Sequence, residues 1–447
     1  GSSLAFLYVN ADVTHSSGTI TVTTDVASNM LLFTTSLTLN NLIIDSGAVH
    51  KIWTEKTDGS NENTLTCAGY LTITDGTLGT KYSSQDVVNL TVTGPTIVGD
   101  GSAVADTATL TCNDSTIALG SGIAAWGLHV KEGGTFNGGT GAHNMSSLAN
   151  DNDSASDITL TTGITRINHE HEANNYCVKL FAGGTFAHGG GTINIEPVGT
   201  YVASVTRIYG FYAANTANNI TLNAAGQTLH QDTPLIHMAG DLTITAGTWN
   251  TADTGGSAKN LTVAGDCNVT GTITMNASVV EVGSLTINDN GTCNATSNTI
   301  TIDSETSGYA YRNLETDGTG FVHNDGEVLF TFGGVTILDN DDTSSFYDLT
   351  VNSNNLDLYI YGNLIVANDF RIRDGDVAAD GGGNMGTITV DGDFDIGDVG
   401  SATFNTLGGY RMAKAHEFGS ITIAAGGEFG ATSGVTALNG NFLNYGT

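Results

Sequence analysis

A short block of an aliphatic residue, a threonine and a second aliphatic residue recurs along the chain. Examples are Leu71-Thr72-Ile73, Leu242-Thr243-Ile244 and Ile421-Thr422-Ile423. The alternation has a period of two, so each block predicts a short β-strand with one buried face. The chain has only 13 Lys and Arg residues, and this shortage of good helix formers favours an all-β fold.

Each of three longer copies of the block is followed by another block at nearly the same distance along the chain. They read LTITDGTL, LTITAGTW and FRIRDGDV. Short strands joined by glycine turns cannot bury an apolar face singly, so they predict stacked coils of a parallel β-helix, or β-solenoid, with roughly 20 residues per coil and about 20 coils. An array of antiparallel β-sandwiches is the alternative. The copies begin at Leu71, Leu242 and Phe370, and the next blocks begin 19, 19 and 18 residues later, at Leu90, Leu261 and Ile388.

The block pattern divides the chain into three parts. It is regular in residues 1–119 and 217–447, where we expect solenoid coils, and it breaks in residues 120–216. We expect this middle segment to be irregular or loop-bearing, and loops on a rigid scaffold often carry recognition. Core packing is the alternative for its aromatic residues. Those that could stack on a glycan are Trp126, Tyr201, Tyr209, Phe211 and Tyr212.

The charge balance excludes several partners. The 13 Lys and Arg residues oppose 45 Asp and Glu residues, which gives a formal net charge of −32. Nucleic-acid binding needs clustered cations to neutralise phosphates, so we expect none here. An anionic membrane surface would repel the chain, and no apolar run is long enough to insert into a bilayer. The five cysteines have no paired spacing, so we expect buried apolar residues rather than disulfides or zinc ligands.

The acidic run DGDFDIGD is the best candidate for a cation site. On a strand, Asp391, Asp393 and Asp395 would share one face, and Asp398 follows closely. Mutual repulsion between these carboxylates would favour Ca²⁺, and we expect no other cofactor. The run lacks the glycine and the final glutamate of an EF-hand loop, so a solvated acidic face is the alternative.

No catalytic motif is present, which predicts a chain that is not an enzyme. There is no GxSxG elbow and no phosphate-binding loop, and the few basic residues are scattered. A polysaccharide-degrading β-helix enzyme remains an alternative, since 45 acidic residues will place some carboxylates at hydrolytic spacing. The polar run His169-Glu170-His171 predicts an exposed loop, with a metal site as its alternative.

The run SFYDLTVNS at residues 345–353, with the LTI and LTV blocks, resembles repeat-rich β-solenoid proteins. These occur among tailed-phage fibres and tailspikes and among large bacterial surface adhesins. The resemblance covers residues 36–120 and 217–447 and includes no catalytic motif. It implies an extracellular structural and attachment role, first as a virion fibre or spike component on a phage. The alternative is a secreted adhesin or filament subunit at a microbial cell surface.

Two partners follow from this expectation. A solenoid coil without a polar cap exposes a pairing edge, so we expect a homo-oligomer or stacked subunits. The aromatic residues of the middle segment suggest a glycan of the host surface as the ligand.

Overall fold

The structure is a computed structural model. Across the residues it describes there are 41 strands and no helix. No helix that could cross a membrane is found in these ranges. The described residues are 5–9, 17–23, 30–33, 36–54, 63–81, 87–102, 107–120, 125–151, 156–171, 174–197, 205–316, 318–340, 344–379, 385–397, 402–405, 416–430 and 436–446.

The chain forms two compact units, Gly1–His237 and Met238–Thr447. The expected boundaries after residues 119 and 216 stay a prediction. Strand β23 (Leu235–Met238) spans the division. The other strands of the first unit are β1 (Ala5–Val9), β2 (Thr19–Val22), β3 (Met30–Phe33), β4 (Leu37–Leu39), β5 (Asn41–Thr54), β6 (Thr64–Cys67), β7 (Leu71–Gly79), β8 (Asn89–Val92), β9 (Thr96–Val98), β10 (Ala108–Thr111), β11 (Ile117–Leu119), β12 (Leu128–Val130), β13 (Gly134–Asn137), β14 (His143–Met145), β15 (Leu148–Asn150), β16 (Asp157–Thr159), β17 (Ile164–Ile167), β18 (Tyr176–Lys179), β19 (Thr185–Ala187), β20 (Thr192–Ile195), β21 (Val205–Tyr209) and β22 (Asn219–Gln231).

The second unit is built in the same way. Its strands are β24 (Leu242–Asn250), β25 (Asn260–Val269), β26 (Thr272–Thr274), β27 (Val280–Ile287), β28 (Thr292–Asn294), β29 (Thr299–Ile302), β30 (Tyr309–Asn313), β31 (Phe321–Val322), β32 (Glu327–Phe330), β33 (Gly334–Asp339), β34 (Asp348–Val366), β35 (Phe370–Ala379), β36 (Met385–Ile396), β37 (Ala402–Asn405), β38 (His416–Ile423), β39 (Glu428–Gly430), β40 (Thr436–Leu438) and β41 (Phe442–Asn444).

Parallel pairing decides the architecture within each unit. In the first unit β8 pairs with β11 and β17 with β20, and in the second β25 pairs with β27, all in parallel. Antiparallel bridges among the described residues join only near neighbours in sequence, such as Lys81 and Val87. The predicted all-β parallel β-solenoid is therefore confirmed, and the antiparallel sandwich array is excluded.

Coil length is less uniform than the sequence suggested. Leu71 stacks on Thr96, 25 residues later, whereas the 19-residue step to Leu90 leads to a different column of the same solenoid. Steps between stacked residues range from 18, from Cys267 to Leu285, to 32, from Thr96 to Leu128. The coils are therefore fewer than the roughly 20 that a uniform short step implies.

The middle segment is part of the solenoid. Strands β12–β21 fall within it and continue the parallel columns of the first unit. Some of its coils are long, because stacked residues Leu148 and Val178 lie 30 positions apart. The irregular sequence therefore reflects extra residues between strands rather than an interruption of the stacking.

Alternation places the aliphatic residues in the core. Leu90 and Val92 of β8 are 0% and 1% exposed, whereas Thr91 between them is half-buried. In the second unit, the buried rings of Phe370, Phe394 and Phe418 stack with centroids 5.1 and 5.0 Å apart. Stacked aliphatic and aromatic side chains thus bury apolar surface between coils, at about 25 cal/mol per Å².

Glycine is required where a corner touches the preceding coil. Gly139 has a φ of +73°, and a Cβ added there would lie 1.7 Å from the carbonyl oxygen of Asn113. The next residue, Thr140, donates its N–H to that same oxygen at 2.6 Å. The corner and the coil beneath it therefore meet backbone to backbone.

We predict that Gly139→Ala destabilises the first unit by about 3 kcal/mol or more, because it combines a left-handed backbone with a steric clash. Gly190→Ala is the matched control, since Gly190 has a φ of +89° but no atom within 4 Å of its added Cβ. The control should lose only about 1–2 kcal/mol. Guanidinium denaturation measures both, and equal losses would contradict the contact at Gly139.

His143 interrupts an aliphatic column of the first unit. It stacks on Ile117, is 1% exposed and packs edge-on against Phe136. Its Nε2 donates to the carbonyl of Gly138 at 3.0 Å, and Nδ1 has no partner. Burial lowers the pKa of His143 from 6.5 to about 4, and the bond to Gly138 opposes this only partly.

This pKa predicts an acid-dependent loss of stability. Between about pH 6.5 and pH 4 the unfolded chain binds a proton at His143 and the folded chain does not. The contribution of neutral His143 is therefore present above pH 6.5 and falls by about 1.4 kcal/mol per pH unit as the pH decreases through that window. The difference in unfolding free energy between the wild type and His143→Gln should follow this slope. Parallel pH profiles of the two proteins would contradict it.

Candidate functional site

One outer side of the first unit carries a cluster of aromatic rings, which we call the aromatic face. Stacking on β12, β15, β18 and β21 builds it, because His129, Ala149, Lys179 and Tyr209 are successive register partners. His129, Lys179 and Tyr209 are half-buried and alternate with buried residues such as Val178 and Ile208, so their side chains point outward, whereas Ala149 is 2% exposed. The rings of the aromatic face are Trp126, Tyr176, Phe181, Tyr209 and Tyr212, all half-buried.

Tyr209 lies at the centre of these rings. Its centroid is 5.5 Å from that of Phe181, 6.0 Å from that of Tyr212 and 6.5 Å from that of Tyr176. Tilted and edge-to-face contacts of this kind are favourable for aromatic pairs. Burial raises the pKa of Tyr212 above its usual range, and the neighbouring Tyr209 adds to the effect. The Tyr212 phenol therefore stays a neutral donor and acceptor.

A buried carboxylate holds one edge of the face. Asp232, whose side chain is 7% exposed, accepts a hydrogen bond from the Tyr176 hydroxyl at 2.6 Å and pairs with Arg207 at 2.5 Å. The Arg207 guanidinium also lies 4.6 Å from the Tyr176 ring centroid. Burial, followed by the bond to Asp232, raises the pKa of Tyr176 to about 12. These contacts fix the orientation of the Tyr176 ring.

Lys179 supplies a cation between two rings. Its Nζ is 5.2 Å from the centroid of Tyr176 and 5.0 Å from that of Phe181. Among the described residues, no carboxylate forms an ion pair with Lys179. The ammonium is thus held by cation–π contacts rather than neutralised.

The far end of the face joins Trp126 to the histidine run. The His171 ring stacks on Trp126 with centroids 4.6 Å apart and an interplanar angle of 22°. His171 also pairs through its backbone with Tyr176, which connects Trp126 to the other rings. Nearby, His129 lies 2.7 Å from the carboxylate of Asp151. The polar run expected to be a loop therefore contributes a stacking partner.

The five aromatic residues that the sequence predicted as ligand contacts differ in where they lie. Trp126, Tyr209 and Tyr212 lie on the aromatic face. Phe211 does not: it is 0% exposed and packs against Phe186, so it belongs to the core and is removed from the set. Tyr201 lies outside the described residues. Sequence reasoning missed Tyr176, Phe181 and Lys179. The only feature that marks them is their outward position on the stacked coils that form the aromatic face.

The acidic run lies on the outer side of β36 in the second unit. Asp391 and Asp393 are exposed and Asp395 is half-buried, while Phe394 and Ile396 point inward, as the alternation predicts. Asp398 lies outside the described residues. Among the described residues, no group of three or more His, Cys, Asp or Glu side chains is arranged to hold a metal. The Ca²⁺ site therefore stays a prediction.

Arg371, whose guanidinium pairs with Asp369 and lies 3.9 Å from Asp348, is in register with the last described carboxylate of this run. Arg371 is the register partner of Asp395 and, with Arg373, lines a cavity of about 270 Å³ beside it. Burial raises the pKa of Asp395, and the neighbouring Asp393 adds to this against the opposing effects of Thr422 and Arg371. The neighbouring Asp369 also raises this pKa, and Arg371 has only a small opposing effect because its guanidinium pairs with Asp369.

All five cysteines are buried and unpaired, as predicted. Burial raises the pKa of Cys67, Cys177 and Cys267 to about 12. Thiols of this kind are not nucleophiles at neutral pH. They act as small apolar residues of the core.

Comparison with protein-family models, with curated proteins and with solved structures gives no match to this chain. The resemblance to phage fibres and surface adhesins therefore stays a prediction. Function has to be inferred from the chain's own side chains, and the aromatic face is the strongest feature for that purpose. Half-exposed rings beside hydroxyl, guanidinium and ammonium groups can stack on a sugar and hydrogen-bond its hydroxyls.

Proposed function

We propose that this chain is a non-enzymatic, extracellular structural and attachment protein. The β-solenoid is its rigid scaffold, and the aromatic face binds a glycan of the host surface. The arrangement of Tyr176 and Phe181 around Lys179, with Tyr209 and Tyr212 beside them, carries this proposal, because an outward cluster of these four rings exceeds what core packing needs. Binding sites of this kind combine apolar ring surfaces with a few fixed polar groups.

Binding is favoured over hydrolysis by the state of the nearby carboxylates. Asp232 is engaged by Arg207 and Tyr176, and Asp151 by His129. Glycoside hydrolysis needs one carboxyl to donate a proton and a second to act on the sugar or water. Both carboxylates are already bonded to neighbouring side chains, whereas the two carboxyls of a hydrolase must contact the sugar or the attacking water. They serve instead to orient the rings and cations.

As the setting, we propose a fibre or spike-like component of a phage virion, and as the alternative a secreted adhesin or cell-surface filament subunit. A stacked, acidic, repeat-built chain suits both, and both imply a homo-oligomer or stacked subunits. Electron microscopy of the native source distinguishes them. A closed oligomer projecting from virus particles supports the first setting, and an open polymer on cells supports the second.

We predict that Tyr209→Leu abolishes glycan binding while leaving the fold intact, because leucine keeps apolar bulk but loses the stacking ring. A loss of at least about tenfold in affinity is expected. The measurement is binding of the wild type and the variant to an array of cell-surface glycans, followed by calorimetry with the bound glycan. Thermal unfolding of both proteins checks the fold.

Tyr70→Leu is the matched control, because Tyr70 is a half-buried tyrosine of the same unit that lies off the aromatic face. It should bind like the wild type. Absence of any bound glycan, or equal binding by Tyr209→Leu, contradicts the attachment proposal. Shortening of the glycan during incubation with the wild type contradicts the non-enzymatic proposal.

A further inference from the structure

We infer that the ligand of the aromatic face is an acidic saccharide chain, such as a polyuronate. It lies along the stacking direction of the coils with a carboxylate against Lys179. This inference rests on the proposed attachment function and adds the ligand's chemical class and orientation. It depends on the charges of the face and on the spacing of its rings.

Lys179 supplies a positive charge on the face that no ion pair with a described carboxylate neutralises, although the chain as a whole carries −32. Asp151 and Asp232 are each paired, with His129 and Arg207. No described carboxylate pairs with Lys131 or Lys179. An acidic polymer is repelled by most of this protein, so the ammonium of the half-buried Lys179 is where its carboxylate is accepted.

Both lysines lie on the side of the unit where His129 lies, because Lys179 shares its column and Lys131 follows it across the buried Val130. Burial lowers the pKa of His129, and the charges of Lys131 and Lys179 lower it further against the raising effect of Asp151. The two ammonium groups therefore act on one point of the face. A chain with repeated carboxylates can contact both, whereas a neutral sugar can use neither charge.

The rings follow the stacking direction. Trp126 precedes β12, Tyr176 and Phe181 flank the ammonium on β18, and Tyr209 lies on β21. Coils stack at about 4.8 Å, so β12 to β21 spans about 14 Å. A pyranose unit in an extended chain advances by nearly one coil spacing. The face therefore matches about three to four consecutive sugar units rather than a single terminal sugar.

Single-stranded nucleic acid is the rival polyanion, because bases also stack on aromatic residues beside cations. The face favours a saccharide, since its polar groups are spread between the rings and its cations are few. Nucleic-acid binding takes several cations to neutralise successive phosphates. The rival therefore enters the experiment as a separate probe.

The experiment titrates the full chain with oligogalacturonates and cello-oligosaccharides of matched, increasing lengths and with oligothymidylate. We expect the oligogalacturonates to bind more tightly, with an affinity that rises until the chain spans the rings. Lys179→Gln should weaken their binding about tenfold and weaken cello-oligosaccharide binding much less, because glutamine keeps hydrogen-bond donors but carries no charge. Lys81→Gln, which makes the same charge change off the face in the same unit, should match the wild type.

Salt provides a second readout of the charge contact. At about 1 M salt the Debye length is about 3 Å, so the preference for the acidic chains should largely disappear. A salt-independent preference would overturn the role of Lys179. Equal binding of both saccharide series, unchanged by Lys179→Gln, overturns this inference but leaves the attachment function standing.

Two further results have different meanings. Tighter binding of oligothymidylate than of the oligogalacturonates overturns the saccharide assignment. An affinity that is independent of chain length overturns the extended orientation. If the glycan array also shows no binding, the attachment function itself fails, so the two failures can be told apart.

Discussion

The in-register stacking of inward aliphatic side chains is the constraint on which the rest of the structure depends. Residues such as Leu90 and Ile117 lie directly over one another, and the parallel backbone bonds between coils fix them there. A slip of one residue would turn a buried column outward. The packing of the core therefore sets the register of the strands. The outward residues take their positions from this register and do not help to set it.

The aromatic face follows from the register that the core sets. Tyr176 and Tyr209 lie 33 positions apart in sequence, yet β18 and β21 stack and bring their rings to 6.5 Å. The coils between β12 and β21 differ in length, but their extra residues lie between strands. The scaffold can thus vary its outer chemistry freely, and here it concentrates rings and cations on one side of an acidic chain.

The period-two blocks were enough to predict an all-β solenoid, because alternation is a local signal. Coil length was not predictable from them, since the 19-residue step after Leu71 joins two columns rather than two coils. Phe211 and Tyr209 looked equivalent in sequence, and only the register shows that one is buried and the other outward. The Arg371 beside Asp395 was likewise invisible, because stacking alone makes them neighbours.

Disulfide trapping across two coils tests this account most directly. His129 and Ala149 are register partners on the outer side, and parallel neighbours about 4.8 Å apart fall within disulfide range. The account predicts that His129→Cys with Ala149→Cys oxidises to a disulfide found by peptide mass spectrometry, whereas His129→Cys with the inward Leu148→Cys does not. The buried native cysteines should not compete. A disulfide in the second pair only, or in neither pair, would contradict the stacking.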